Sequence, residues 1–311
     1  MMLVQRLTDT ICDISNGFLY HISEMKREKT KQKSKIKKEE AGSMDQAHEA
    51  QDISLPHTTK TIMLTSSKGG VGKTTVCANL AVSLVKEGCR VLTVDLDFDN
   101  RCLDLLLHME NDVMYNLADV LRGDITPQRA ILDCARLPGL SFLPAPPAGT
   151  FSFDTQTMID VLHDLAADGT YDYILLDTPG AAGQALLCAA KAADEALILS
   201  SAQTTAIRGA EHTGGVLATH GVQTQYLVVN QYIPQKKKKN RVKDQLTLID
   251  MIDTISIPLL GVIPFFPRLW SDQNQGILMD HITYRGTGFA CAMQNIAKRL
   301  QGIQVPLMQG V

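Results

Sequence analysis

A glycine-rich segment near residue 70 carries the residue types that bind phosphate groups. Residues 67–75 read Ser-Lys-Gly-Gly-Val-Gly-Lys-Thr-Thr, between an apolar run and a segment with helical periodicity. Glycines let the backbone turn its N–H groups toward an anion, and the helix that follows directs its positive dipole end to the same place. We expect Lys73 to reach the terminal phosphates of a nucleotide and the Thr74 hydroxyl to ligate Mg²⁺. The other residues expected to line this phosphate site are Gly69, Gly70, Val71, Gly72 and Thr75.

Polar side chains follow two further apolar runs. Asp95 and Asp97 come at the end of the run 91–94, one helix after the glycine-rich segment. Carboxylates at this place lie near a bound Mg²⁺ and the attacking water, which a carboxylate can orient. Asn230 ends the run 226–229 with an amide that can hydrogen-bond an adenine base, although a strand end followed by a turn is the simpler alternative. Together these residues predict a site that binds and hydrolyses a nucleotide.

Strands alternating with helices are predicted to position these residues. The apolar runs expected to form strands are 61–65, 91–94, 173–176, 196–199, 226–229 and 257–262. The segments expected to form helices are 73–87, 154–167, 181–193, 206–219 and 284–300. This alternation indicates an α/β fold with a mostly parallel, twisted sheet and helices on both faces, and the glycine-rich segment after the first strand makes it resemble a P-loop NTPase.

The composition fits a globular protein of a reducing compartment. The 311 residues carry a net charge of −3, and 45% of them are hydrophobic, so affinity for nucleic acid or anionic lipid would need a local basic patch. No uncharged apolar run reaches the roughly 18 residues that span a bilayer. Seven scattered cysteines without a C-x-x-C pair argue against a disulfide framework or a structural zinc site. We expect a cytoplasmic protein.

Residues 1–58 are predicted to be a tail and linker, mostly disordered, before an ATPase domain at 59–301 and a short C-terminal tail at 302–311. Apolar residues at helical spacing follow one face of residues 3–22, and residues 24–40 hold eight Lys or Arg against four Glu. Three interpretations stay open: a helix that binds the inner face of a membrane, a helix that binds a protein partner, or translation that begins at Met44.

The loop and its surroundings resemble the MinD/ParA family of P-loop ATPases, whose deviant Walker motif has two lysines. The resemblance covers residues 60–300 and implies ATP and Mg²⁺ as ligands. In that family the first lysine, here Lys68, crosses to the ATP of the partner subunit in a homodimer, and the second, here Lys73, acts in its own subunit. The resemblance also implies that Asp177 holds Mg²⁺ through water, that Asp97 is tied to hydrolysis, and that the backbone near Pro264 lines the base.

Within the family, residues 103–124 and 261–276 look more like the MinD branch than the ParA branch. The MinD branch implies a regulator of division-site placement that binds a protein regulator and a membrane, whereas the ParA branch implies non-specific DNA binding. A nucleotide-gated adaptor with little hydrolysis is a third alternative. The cysteine pair that carries an iron–sulfur cluster in the scaffold branch is missing, since Cys291 stands alone.

Four features of the chain bear on these alternatives. After Asp97 the family continues with Gly and then Leu-Arg-Asn-Leu-Asp, whereas this chain has Asp99 in place of Gly and Cys102 in place of Asn. The last residues, 301–311, hold no Lys or Arg and include a proline, unlike the basic amphipathic helix that ends MinD proteins. A basic run at 236–243 is either a solvated loop or a surface for DNA or anionic lipid. The aromatic segment 264–270 is either core or an exposed regulator surface.

Overall fold

The computed structural model describes residues 58–147, 152–180, 183–233 and 246–307. The features predicted at residues 3–40 and in the basic run 236–243 lie outside the described residues. The fold below concerns the compact unit of Pro56–Gln301 and Val305–Val311. Among the described residues, no helix is long and apolar enough to cross a membrane. The predicted domain boundaries stay a prediction.

An eight-stranded sheet forms the centre of this unit. Its strands are β1 (Lys60–Thr65), β2 (Val91–Asp95), β3 (Leu132–Asp133), β4 (Leu140–Leu143), β5 (Tyr173–Asp177), β6 (Glu195–Ser200), β7 (Thr224–Tyr232) and β8 (Leu259–Pro264). Their order across the sheet is β3-β4-β2-β5-β1-β6-β7-β8, so the strand before the glycine-rich loop lies inside the sheet. All neighbouring strands are parallel except β3 and β4. The predicted α/β class and mostly parallel sheet are confirmed.

Helices connect the strands of the described region. They are α1 (Lys73–Lys86), α2 (Leu103–Leu107), α3 (Leu117–Leu121), α4 (Pro127–Ala130), α5 (Thr155–Ala167), α6 (Gln184–Ala192), α7 (Thr204–Thr219), α8 (Leu248–Thr254), α9 (Leu269–Gln273) and α10 (Gly288–Leu300), with a 3₁₀ turn at Ile282–Tyr284. The helix predicted at 284–300 begins four residues later, at Gly288, because the chain turns at Gly286, where φ is 72°.

Two apolar layers cover the two faces of the sheet. Ile62 and Leu64 of β1 pack into one layer with α1 and α10, whereas the intervening Met63 packs into the other with α5, α6 and α7. Side chains that alternate along a strand point to opposite faces, so a strand buried on both sides is apolar throughout. This double cover holds the carboxyl ends of β1, β2 and β5 in fixed relative positions.

The sequence prediction missed the edge strand β3 and its neighbour β4. Leu140–Leu143 is only four residues long and lies between Pro138 and Pro144, which hide its apolar pattern among turn residues. It nevertheless adds to β2 in parallel register, with Val91 opposite Leu140. The strand prediction at 257–262 also began two residues early, since β8 begins at Leu259 after Pro258.

Candidate nucleotide-binding site

The glycine-rich loop joins the end of β1 to the start of α1. Gly70 and Gly72 have φ angles of 75° and 91°, a left-handed conformation that L side chains rarely adopt. Gly72 is also the residue before the first turn of α1. A Cβ atom at Gly72 would lie 2.6 Å from Nδ2 of Asn230, so this position has no room for a side chain. The loop therefore brings its N–H groups and the N-terminal end of a 14-residue helix to one place.

Lys73 lies inside this loop. Its side chain is buried, and Nζ donates a hydrogen bond to Oγ of Ser66 at 3.3 Å. Gly180, which follows β5, comes so close that a Cβ atom there would lie 3.3 Å from Nζ of Lys73 and 3.4 Å from Cα of Gly69. The segment after β5 thus lies directly against the phosphate loop.

Lys68 differs from Lys73 because it is exposed. Its Nζ donates a 3.3 Å hydrogen bond to Oε1 of Gln203, the residue before α7. Beside it, Ser67 fits against Gly209 of α7 so closely that a Cβ atom at Gly209 would lie 2.1 Å from Oγ of Ser67. The N-terminal half of α7 therefore packs directly against the glycine-rich loop. Sequence reasoning did not identify Gln203 or Gly209, because neither belongs to a motif.

Two buried carboxylates lie side by side beside the loop, at the carboxyl ends of neighbouring strands. Asp95 and Asp177 are register partners at the ends of β2 and β5, and each is 1% exposed. Burial raises the pKa of Asp177 to about 7, while the Thr74 hydroxyl and the Lys73 ammonium act to lower it. Burial and the nearby Asp177 charge raise the pKa of Asp95 well above its usual range, against the hydrogen bonds from two backbone N–H groups. Such a pair favours a cation between or beside its members.

Asp177 and Thr74 fit a Mg²⁺ ion that also binds nucleotide phosphates. Both carboxylate oxygens of Asp177 are buried, and within the described residues no donor meets hydrogen-bond geometry with them, although the Thr74 hydroxyl lies close enough to lower the pKa. Burying an ionised carboxylate without a partner is unfavourable, whereas a cation would satisfy it. The described side chains contain no group of three or more His, Cys, Asp or Glu that could hold a metal ion by themselves. That agrees with Mg²⁺ at nucleotide sites, which takes one or two protein oxygens together with phosphates and water.

Asp97 follows Asp95 by two residues, just beyond the end of β2, and is 7% exposed. Its backbone N–H donates to Oδ1 of Asp95 at 3.0 Å. Asn100 donates to the Asp97 carboxylate through its backbone N–H and through Nδ2, which contacts Oδ1 at 3.1 Å and Oδ2 at 3.0 Å. The structure therefore brings the predicted catalytic carboxylate to the same edge as Asp177, with an orientation set by Asn100.

Asn230 lies two residues before the end of β7, and Pro264 ends β8, at this edge of the sheet. The amide of Asn230 donates to the Val71 carbonyl at 2.7 Å and accepts from the Gln231 N–H at 2.9 Å. The amide is therefore bonded to the phosphate loop, and its contact with adenine stays a prediction. Pro264 pairs with Tyr232, next to the loop that follows β8. A further contact, which the sequence did not indicate, joins α9 to α1. Nε2 of Gln273 in α9 donates to Oγ1 of Thr75 in α1 at 2.7 Å.

The aromatic segment after β8 divides between surface and interior. Phe266 stacks on Phe289 with ring centroids 6.1 Å apart, so it is part of the packing. Phe265 and Trp270 are 41% and 68% exposed, with their rings 6.5 Å apart at nearly right angles. Phe266 is therefore core, whereas Phe265 and Trp270 are exposed, and a regulator that binds them stays a prediction.

Comparisons with known proteins agree with this geometry. The profile of the ParA family, described as NUBPL iron-transfer P-loop NTPase, matches residues 57–301. The septum site-determining protein MinD of Synechocystis sp. is 33% identical over 256 residues, which are 79% of this chain and 91% of that protein.

Solved structures of two MinD proteins share the fold. One is the MinC:MinD cell division complex of Aquifex aeolicus, with 30% identity, a TM-score of 0.74, and coverage of 81% of this chain and 99% of that one. The other is MinD of Pyrococcus horikoshii in complex with Mg-ADP, with 29% identity, a TM-score of 0.68, and coverage of 78% and 96%. The predicted fold and family are confirmed: this chain belongs to the ParA/MinD family of P-loop NTPases and is an ATPase of that family.

Proposed function

We propose that the protein is a MinD-type switch that binds ATP with Mg²⁺, forms a homodimer and hydrolyses ATP to ADP and phosphate. The observation that carries this proposal is the contrast between the two loop lysines. Lys73 is buried beside Ser66, whereas Lys68 is exposed and held by a 3.3 Å hydrogen bond to Gln203. A buried lysine serves the nucleotide of its own subunit, while an exposed lysine on the same loop can reach the nucleotide of a second copy.

The residues of the site divide the work of hydrolysis in this proposal. The loop from Gly69 to Thr75 binds the phosphates, and Lys73 neutralises their charge. Thr74 and Asp177 hold Mg²⁺, with Asp95 beside them, and Asp97 orients the attacking water. Bound Mg²⁺ supplies charge stabilisation at the transferred phosphoryl group. Lys68 of a second copy adds positive charge at the same group, which couples hydrolysis to dimer formation.

Light scattering after size-exclusion chromatography tests the proposal. We expect the protein to be a dimer with ATPγS and a monomer with ADP. Lys68→Ala should bind nucleotide but stay monomeric, whereas Lys73→Ala should lose nucleotide binding. Lys298→Ala is the matched control, because that lysine pairs with Glu87, the residue after α1, and lies outside the loop. A Lys68→Ala protein that dimerises like the wild type would show that the role of Lys68 across the dimer is wrong.

For the biological role we propose placement of the division site through a protein partner of the MinC type. The supporting observations are the relatives named septum site-determining protein and the Aquifex aeolicus complex of MinC with MinD. The MinC-type protein from the same genome should co-purify with this protein in ATPγS and separate from it in ADP. Equal binding in both nucleotides would contradict a switch.

For the bound surface we propose an anionic membrane, with the protein at its inner face. Co-sedimentation with phosphatidylglycerol vesicles should occur in ATP and be lost in ADP. Salt-sensitive, ATP-dependent binding to duplex DNA in place of vesicles would favour the ParA-like alternative. Turnover that stays negligible with vesicles, DNA and the MinC-type protein would favour a nucleotide-gated adaptor.

A further inference from the structure

We propose that Asn100 is a positioning residue that fixes the Asp97 carboxylate for ATP hydrolysis. This inference rests on the proposed function, since it assumes that Asp97 orients the attacking water. The observation behind it is the set of three hydrogen bonds from Asn100 to Asp97: the backbone N–H at 3.3 Å and Nδ2 at 3.1 and 3.0 Å to the two oxygens. One amide group thus spans both oxygens of the carboxylate.

The backbone of Asp97 is also held on both sides. Its N–H donates to Oδ1 of Asp95, and its carbonyl accepts from the Arg101 N–H at 2.8 Å. Phe98, the next residue, packs edge-on against Phe153 with centroids 5.7 Å apart. With the backbone fixed, the Asp97 carboxylate can change its orientation only by rotation about the side-chain torsions. The Asn100 amide restricts this rotation because it contacts both carboxylate oxygens. A carboxylate that must place one water molecule loses rate steeply when its orientation varies.

The backbone of Asn100 is held as well as its side chain. Sγ of Cys102, two residues on, contacts the carbonyl of Asn100 at 3.3 Å. The amide that contacts Asp97 is therefore carried by a residue that is itself fixed in the turn.

A simple turn-stabilising role is the competing explanation. Asn100 is exposed, and its backbone N–H closes a turn onto Asp97 whatever the side chain is. The two roles differ in what truncation does. Loss of a turn contact lowers stability and leaves kcat nearly unchanged, whereas loss of a positioning contact lowers kcat, and does so only while the Asp97 carboxylate is present.

A double-mutant cycle in the full-length protein tests this distinction. Asn100→Ala should lower kcat about tenfold, as for other residues that orient a catalytic group, with the Kd for Mg-ADP within about twofold of wild type. Asp97→Ala should lower kcat further, and Asp97→Ala/Asn100→Ala should match Asp97→Ala alone, because Asn100 acts through Asp97. Asn111→Ala is the control, an exposed asparagine with a contact to Glu110.

The outcomes separate this inference from the proposed function. If the wild type hydrolyses ATP and Asn100→Ala keeps its kcat, the positioning role is wrong while the ATPase proposal stands. Additive losses in the double variant, or equal losses of kcat, melting temperature and Mg-ADP affinity in Asn100→Ala, would also overturn it. Normal hydrolysis by Asp97→Ala removes the premise and overturns it too. No hydrolysis by the wild type with any activator overturns the proposed function itself.

Discussion

The side chain of Asn230 fills the space that a side chain at position 72 would need, and residue 72 is a glycine. Its Nδ2 donates to the Val71 carbonyl at 2.7 Å and lies 2.6 Å from the Cβ position of Gly72. The end of β7 is thereby joined to the phosphate loop through one amide group. Because the loop follows β1 and Asn230 lies near the end of β7, this contact links segments that are 159 residues apart in sequence.

The first prediction concerns Gly72→Ala. The substitution forces a side chain into a φ of 91° and against Asn230, so we expect loss of nucleotide binding and a fall in stability of about 1–3 kcal/mol. Isothermal titration with Mg-ADP and thermal unfolding measure the two effects. Gly88→Ala is the matched control, because Gly88 has a φ of 89° but open space at its Cβ position. A Gly88→Ala protein with the same loss of binding would contradict the role of the Asn230 contact.

The second prediction concerns Gly209 in α7. A Cβ atom at this position would lie 2.1 Å from Oγ and 2.6 Å from Cβ of Ser67. Gly209→Ala should therefore push α7 away from the loop and weaken Mg-ADP binding by about fivefold or more, since overpacking costs about 1–3 kcal/mol. Gly215→Ala on the same helix has open space and should leave binding unchanged.

A second substitution shows whether the clash is the cause. Ser67→Gly removes the side chain that Gly209→Ala would strike, so the double variant should regain most of the Mg-ADP affinity. Affinity that stays low in the double variant would mean that Gly209→Ala acts through something other than Ser67.

The site shows which of its residues could be predicted from the sequence and which could not. The loop glycines, Lys73 and Asp177 were predictable because their spacing and strand ends are local patterns with a direct physical meaning. Gln203, Gly209 and Gln273 were not, because each reaches the loop from a distant segment and has no pattern of its own. Such contacts depend on the packing of α7 and α9, which a single sequence does not encode locally.

The same reasoning explains the fold. Strands such as β1 and β5 are buried on both faces, so their continuous apolar runs are clear in the sequence. The strand β4 is short and lies between prolines, and it is a strand because the edge of β2 is available to it. Tertiary pairing decided that element, and local propensity did not.

The third prediction concerns Gln273, whose Nε2 donates to Oγ1 of Thr75 at 2.7 Å. Gln273→Ala should free the Thr75 hydroxyl and lower Mg-ADP affinity about fivefold, the loss expected for one hydrogen bond of about 1 kcal/mol. Isothermal titration measures the change. Gln301→Ala is the control, because Gln301 bonds the carbonyl of Ala297 at the end of α10. Unchanged affinity in Gln273→Ala would show that the contact does not shape the nucleotide site.

The last prediction uses the single tryptophan of the chain. Trp270 is 68% exposed and packs edge-on against Phe265, so its fluorescence emission should resemble that of a solvated indole. Trp270→Ala should change stability by less than about 0.5 kcal/mol, as for an exposed site, whereas Phe266→Ala should cost about 2–4 kcal/mol because its ring packs on Phe289 and Tyr284. Chemical unfolding of the two variants measures this difference. Equal losses would contradict the division of this aromatic segment into an exposed pair and a packed ring.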